Sequence, residues 1–184
     1  MAQLVVITGP SGVGKGTLIT RLLEAVPGLE MSVSATTRPS RAGEVDGVAY
    51  HFLSRSDFEA RRAAGEFLES AEYAGNLYGT LLSEIEGRPE EVRGVVLEIE
   101  VLGAQQVRAS HPESVLVFIA PPDPATLRQR LVSRGTDSPE QIELRLAQAS
   151  RELEAADEFD TVIVNDDLGT AAALLAEAVE GRLD

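Results

Sequence analysis

The chain contains no cysteine, which removes disulfides, thiolate metal sites and cysteine nucleophiles together and suits a reducing compartment. Two histidines, His51 and His111, are too few for a histidine-rich metal centre. His111, followed by Pro112, reads as a surface loop residue. No apolar run approaches the roughly 18 residues of a membrane span, and the first residues lack the basic region and cleavage site of a secretory signal. These gaps predict a cytoplasmic protein with no membrane interaction. Positive charge is scarce too: 16 Lys and Arg stand against 30 Asp and Glu, a formal net charge of −14. Nucleic-acid binding needs excess positive charge to displace counterions, so it is not expected, and an anionic ligand must meet basic residues gathered locally. Lysine is nearly missing. Lys15 is the only one, and every other basic residue is an arginine.

What the chain does have is concentrated around that lysine. Leu4-Val5-Val6-Ile7-Thr8 is an apolar β-type run, Gly9-Pro10-Ser11-Gly12-Val13-Gly14-Lys15-Gly16-Thr17 follows, and Leu18, Ile19, Leu22, Leu23 and Val26 then form a helical stripe ended by Pro27-Gly28. Strand, glycine-rich loop and helix in that order are the setting of a phosphate-binding loop. The glycines let backbone N–H groups turn inward around a phosphate, and the helix adds its positive N-terminal end. Lys15 then reaches the β- and γ-phosphates of a nucleoside triphosphate, as a flexible point charge. The strict pattern G-x-x-x-x-G-K-[S/T] is missed by one residue, because Gly16 stands at the hydroxyl position; Thr17 is the stand-in near the nucleotide and its Mg²⁺. The Gly-Lys-Gly-Thr ending is similar to that of several nucleoside monophosphate kinases.

Met31 to Thr36 alternates loosely like a strand, and a second informative stretch runs from Ser34 to Gly47 and on to Tyr50 and Phe52. Arg38 and Arg41 lie in its Pro/Gly/Ser-rich part, where two arginines can clamp a phosphate by charge-assisted hydrogen bonds. With the loop before it, this block resembles the guanylate kinase family. Its signature of Ser-x-Thr-Thr-Arg, then Arg-x-Gly-Glu, then Gly and an aromatic pair, is present from Ser34 through Arg41 and Glu44 to Phe52. The resemblance extends through Gly75-Asn76-Leu77-Tyr78-Gly79-Thr80, Gly103-Ala104-Gln105-Gln106, Arg134-Gly135 with Arg145, and Asn165-Asp166-Asp167. It implies that Gly9 to Thr17 and the Asn165 region hold ATP. It also implies that Ser34 and Thr80 bond the O6 side of a guanine, and that Arg38, Arg41, Tyr50 and Tyr78 hold the GMP phosphate, with Glu44 in the same set. Phe67 to Tyr73 reads as a strand with Glu69 on a different face from Leu68. A carboxylate accepts two parallel N–H bonds from guanine N1 and its 2-amino group, which adenine does not offer, so Glu69 is the expected guanine reader.

Val95 to Glu100 reads as a buried strand ending in acids, near where an open parallel sheet places its ligands. The family usually shows Asp-Ile-Asp there, so Glu98 and Glu100, both in the expected GMP-binding set, are longer by one methylene. Ser56-Asp57-Phe58-Glu59 reads as a capping box opening a helix that ends at Gly65. Val115 to Ile119 is a further buried strand, stopped by Pro121-Pro122. Asp123-Pro124 and Ser138-Pro139-Glu140-Gln141 each open a helix, the second carrying Ile142, Leu146, Ala149 and Leu153 on one face. Arg134 and Arg145, with Arg130 as a weaker candidate, then sit around a helical lid. Thr161 to Val164 is the last strand, before a closing amphipathic helix.

The expected fold is α/β: a P-loop kinase core with a parallel sheet flanked by helices (residues 1–32, 91–121 and 147–184), a GMP-binding insertion (33–90) and a helical lid (122–146). The expected reaction is ATP + GMP ⇌ ADP + GDP in purine nucleotide metabolism, with Mg²⁺ on ATP and dGMP as a further acceptor, in a monomer or homodimer. Phosphoryl transfer needs alignment and charge neutralisation rather than a general base, so the catalytic set is Lys15, Arg38, Arg41, Arg134 and Arg145. Three other readings are a kinase for another monophosphate, a non-catalytic guanylate-kinase-like interaction module, and a P-loop hydrolase switch. Glu69 argues against the first and an intact Lys15 against the second. The third lacks an identifiable water-positioning residue.

Overall fold

The computed structural model describes residues 2–133, 135 and 137–183. The chain begins with β1 (Gln3–Thr8), α1 (Lys15–Ala25), β2 (Leu29–Met31), β3 (Ala35–Thr36), β4 (His51–Phe52) and α2 (Arg55–Ala63). It continues through β5 (Phe67–Tyr73), β6 (Asn76–Leu81), β7 (Gly94–Glu98), α3 (Val101–Ser110) and β8 (Val115–Ala120). Helices α4 (Pro124–Ser133) and α5 (Pro139–Glu154), strand β9 (Thr161–Val164) and helix α6 (Leu168–Glu180) complete it. One sheet has the order β2-β7-β1-β8-β9 and a second the order β4-β3-β6-β5. In the first, β2 with β7, β1 with β8, and β8 with β9 pair in parallel. This is the mixed α/β P-loop architecture expected from the sequence. The chain divides into two compact units: Gly28–Ser114 with the N-terminal residues up to Leu4, and Val5–Pro27 with the chain from Val115 onward.

In the second of these units, Val5, Val6 and Ile7 lie against a wholly buried β8. Buried on both faces, interior parallel strands are read in sequence as continuous apolar runs. Strand β9 is at the sheet edge and alternates instead, Ile163 inward and Val162 and Val164 outward. Helix α1 buries Leu18, Ile19 and Leu22, and α6 buries Ala171, Leu175 and Val179 at spacings of four, so each shows one apolar stripe. Asp123 accepts from Thr126 N at 2.8 Å to start α4. Ser138 and Gln141 form both arms of a capping box on α5. Helices α4 and α5 share a small core of Leu127, Leu131, Ile142, Leu146 and Ala149. At the end of α5 the inward position falls on Glu152, whose carboxylate accepts from Gln148 Nε2 at 3.1 Å; the expected Leu153 is half-buried beside it. A period of 3.6 residues carries the stripe from Ala149 to position 152.

In the other unit, the second sheet and α2 enclose Ala35, Phe58, Leu77 and Leu81, with Leu53 and Phe67 against them. Phe58 and Phe67 stack with ring centroids 4.3 Å apart. Three expectations are corrected here. The single strand expected from Met31 to Thr36 is divided into β2 and β3, which belong to different sheets. Ser32 bonds Val96 O through both its N–H (3.0 Å) and its hydroxyl (3.1 Å), and Val33 N donates to the Glu84 carboxylate at 2.9 Å. These bonds end one ladder and turn the chain toward the other. The cap of α2 is Ser54, not Ser56: Ser54 has extended backbone angles and accepts from Asp57 N at 3.0 Å, while Ser56 lies in the first turn. Strand β7 stops at Glu98, and Glu100 is the N-cap residue of α3, so the expected strand to Glu100 is shorter by two residues.

Candidate active site

The glycine-rich segment joins β1 to α1 within the unit built from Val5–Pro27 and the chain after Val115. Gly14 is the N-cap of α1 with φ of 99°, and a Cβ there would lie 2.7 Å from Asn165 Nδ2. Left-handed backbone and close approach both demand glycine. Asn165 is buried and donates to Val13 O at 2.8 Å, so it braces the loop from beneath. Arg130 donates to Asn165 O at 2.9 Å and to Val13 O at 3.4 Å. Arg145 donates to the Ser11 hydroxyl at 2.6 Å and pairs with Asp137 at 3.3 Å. Lys15 opens α1 and turns its ammonium back onto Gly9 O and, at 3.3 Å, Pro10 O. No acidic residue stands in the first turn of α1, so the positive helix end keeps its field. A chain of strongly negative charge thus gathers Lys15, Arg130 and Arg145 on one loop. Arg130, ranked below Arg145 from sequence, reaches the loop as well. Arg134 lies outside the described residues.

Thr17 is exposed in the first turn of α1, an oxygen donor of the kind Mg²⁺ takes while keeping several waters. Among the described residues, no cluster of three or more His, Asp or Glu is placed to hold a metal ion.

The second cluster lies on β3, β4 and β6 and the segment between β3 and β4. Arg38 makes a fork on Glu44 at 2.9 and 3.0 Å, and its guanidinium lies 5.3 Å from the Tyr50 ring centroid and 5.8 Å from that of Phe52. Tyr50 and Phe52 are two apart and therefore share a face. The bond to Glu44, its charge and the nearby Tyr78 raise the Arg38 pKa against the opposing effect of burial. Glu44 also accepts from Arg41 N at 2.7 Å, and its own pKa is lowered by the Arg38 bond first and the Arg41 N–H second. The Arg41 guanidinium is exposed. Burial, then Tyr78 and Glu98, raise the Tyr50 pKa, so its hydroxyl stays a donor. Tyr50 and Tyr78 meet edge to face with centroids 6.2 Å apart. Thr36 and Thr37 fix this face: Thr36 Oγ1 donates to Leu77 O at 3.0 Å, and Thr37 Oγ1 accepts from Leu77 N at 2.9 Å.

Glu69 stands on β5 opposite Thr80 on β6. It is 4% exposed, and one carboxylate oxygen accepts from the Thr80 hydroxyl at 2.8 Å. Burial pushes its pKa from an ordinary 4.5 up to about 7, although the Thr80 hydroxyl and backbone pull the other way. The folded protein therefore holds a proton that the unfolded chain releases near pH 4.5. Stability from this group is complete below about pH 4.5, falls as pH rises to about 7, and is constant above. At about 1.36 kcal/mol per pKa unit, the loss is about 3 kcal/mol. The difference in unfolding free energy between the wild type and Glu69→Gln, measured from pH 4 to 8, is expected to show that slope.

Two residues outside the expected set hold this region together. Glu84 accepts from Val33 N and sits 2.8 Å from His51 Nε2, so His51 is a hydrogen-bond partner of this carboxylate. Phe52 supplies the second ring under Arg38; its position two residues after Tyr50 was the available signal. Ser34 lies between β2 and β3 and accepts from His51 N through its carbonyl. Glu98 is exposed at the end of β7, beside Tyr50.

A buried parallel strand, a glycine-rich loop and a helix opened by Lys15, with arginines drawn onto the loop, define a P-loop nucleotide-binding protein of the monophosphate kinase type. The family is guanylate kinase: the guanylate kinase family model matches residues 1–182, and the chain belongs to that family. It is 52% identical over 179 residues to the guanylate kinase of Nostoc sp. (strain PCC 7120 / SAG 25.82 / UTEX 2576), covering 97% of this chain and 90% of that protein. It is likewise 52% identical over 183 residues to that of Gloeobacter violaceus, covering 100% and 87%. The crystal structure of guanylate kinase from Anaplasma phagocytophilum superposes with a TM-score of 0.77 at 28% identity, covering 99% of this chain and 86% of that one.

Proposed function

We propose that the chain catalyses the reaction for which its family is named, ATP + GMP ⇌ ADP + GDP, with the loop from Gly9 to Thr17 as the ATP site and the Arg38–Tyr50–Tyr78 and Glu69–Thr80 clusters as the GMP site. The observation that carries this reading is Glu69, a buried carboxylate whose hydrogen bond from Thr80 leaves acceptor capacity for guanine N1–H and the 2-amino group. Ser34 serves the O6 side, and Thr80 joins it there by redirecting the hydroxyl proton that it gives Glu69 in the free protein. Arg38, Arg41 and the hydroxyls of Tyr50 and Tyr78 take the phosphate, and Glu44 holds Arg38 in place for it. Glu98 and Glu100 complete the GMP-site set. dGMP is a second acceptor in this reading.

On the donor side, the loop N–H groups and Lys15 bind the phosphates of ATP, and Asn165 keeps the loop in shape. The Thr17 hydroxyl would stand near the Mg²⁺ carried by ATP, which would supply neutralisation of phosphate charge. Arg145 and Arg134 belong to the charge-neutralising set, and no general base is invoked, since alignment and electrostatics supply the rate. Residues 33–90 then form the GMP-binding region, 122–146 a lid built on α4 and α5, and the remainder the core. A cytoplasmic setting belongs to the same reading.

Calorimetric titration with GMP and AMP tests the assignment. GMP is expected to bind and AMP to bind at least tenfold more weakly. Arg38→Lys keeps the charge but loses the fork and the ring stacking. Charge-assisted bonds are worth about 1.5–3 kcal/mol, or tenfold and more in affinity. Its KM for GMP is therefore expected to rise at least about tenfold, with the KM for ATP unchanged. Equal affinity for AMP and GMP, or an unmoved GMP KM in Arg38→Lys, would contradict the assignment.

A further inference from the structure

We propose that Gly103 and Gln106, on one face of α3, are positioning residues that set where the Glu69 carboxylate stands and so maintain the preference for guanine; this rests on the reading of Glu69 as the guanine-reading group. A Cβ built on Gly103 would lie 2.5 Å from the second carboxylate oxygen of Glu69, 3.1 Å from its Cδ and 3.3 Å from Ile99 Cδ1. Gly103 is inside a ten-residue helix and is not among the positive-φ glycines, so backbone conformation does not account for it. A mid-helix glycine is less favourable than alanine. What it provides is room: α3 approaches the carboxylate to a distance that any other residue would close off.

Gln106, one turn further along, supplies an independent observation on the same face. Its Oε1 accepts from Ser70 N at 3.1 Å and its Nε2 donates to Ser70 O at 3.0 Å. The side-chain amide thus pairs with the backbone of β5 at the residue after Glu69, much as a neighbouring strand would. Gln106 holds helix to strand, and Gly103 fixes how close the helix may come. The bulge in the β5–β6 register between Phe67 and Glu69 falls beside this clamp.

Gly103→Ala favours α3 as an isolated helix yet displaces the carboxylate from Thr80. The variant is expected to raise the KM for GMP at least tenfold, to leave the KM for ATP within twofold, and to lower kcat at saturating GMP by less than fivefold. In a Glu69→Gln background the same alanine is expected to add less than twofold, because the group it displaces no longer reads the base. Gln106→Ala, which introduces no clash, is expected to raise the GMP KM about threefold to tenfold and serves if Gly103→Ala does not fold. A folded Gly103→Ala with an unchanged GMP KM would overturn the proposal, as would an equal penalty in both backgrounds. If Gly103→Ala does not fold, an unchanged GMP KM in Gln106→Ala overturns it. Where Glu69→Gln alone alters guanine preference, those outcomes remove the positioning role only; where Glu69→Gln alters nothing, the guanine-reading role falls and this inference with it.

Discussion

Arg145→Ala is expected to lower kcat about 10³-fold or more while moving the KM for ATP by less than tenfold. The guanidinium reaches the phosphate loop from α5 through the Ser11 hydroxyl at 2.6 Å, with Asp137 orienting it at 3.3 Å. Arginines that neutralise a transferring phosphoryl group contribute about 10³–10⁵ in rate in related systems, since charge on the equatorial oxygens is greatest in the transition state. An interaction that strengthens there lowers kcat when lost and changes ground-state binding little. Arg145→Lys restores charge without the planar fork and is expected to recover only part of the rate. Stopped-flow single-turnover measurement separates the chemical step from product release. A thousandfold rise in the ATP KM at unchanged kcat would instead make Arg145 a simple binding group.

Glu69→Gln is expected to reduce the ratio of kcat/KM for GMP over AMP by about 10- to 100-fold. The amide keeps the shape and the bond from Thr80, but it turns one acceptor into a donor facing the guanine 2-amino group or N1–H. A charge-assisted bond is lost, at about 1.5–3 kcal/mol, and two donors are left opposed. The raised pKa adds a second signature. In the proposed site guanine takes the ionised carboxylate, so below about pH 7 its binding must expel a proton. Wild-type GMP affinity is therefore expected to weaken by up to tenfold per pH unit as pH falls from about 7 and to level off above it. The phosphate of GMP titrates near pH 6 in both proteins, so the difference between wild type and Glu69→Gln isolates the carboxyl group. Parallel pH profiles in the two proteins would show that the carboxylate takes no part. The same substitution is expected to stabilise the free protein near pH 8, because burying an ionised carboxylate without guanine is costly.

Much of this is legible in the sequence. The strands Phe67–Tyr73 and Thr161–Val164 carry local patterns and match to the residue, and both Ser138 and Asp123 announce their helices by side-chain chemistry four residues long. The loop around Lys15 was likewise local in sequence. What escaped was long-range. Ser32 is turned by a carbonyl at Val96, the Glu84 carboxylate ties together Val33 and His51, and Arg130 reaches Val13 across more than a hundred residues of sequence. No periodicity records such bonds. Ser56 to Glu59 has the spacing of a capping box, yet the cap is Ser54, whose extended backbone angles and bond from Asp57 N are not recorded by that spacing. Gly103 shows the limit most plainly: the sequence marks it within the Gly103–Gln106 block, but not that a Cβ there would meet a carboxylate 34 positions earlier.

The most direct test of the account is a coupled assay of ADP formation with ATP·Mg²⁺ and each of GMP, dGMP, AMP, UMP and CMP, with Lys15→Ala as the blank. The predicted result is turnover confined to the two guanine substrates and absent from the blank. Turnover of AMP or a pyrimidine nucleotide at a comparable rate would contradict it, and so would silence with every acceptor despite measurable GMP binding.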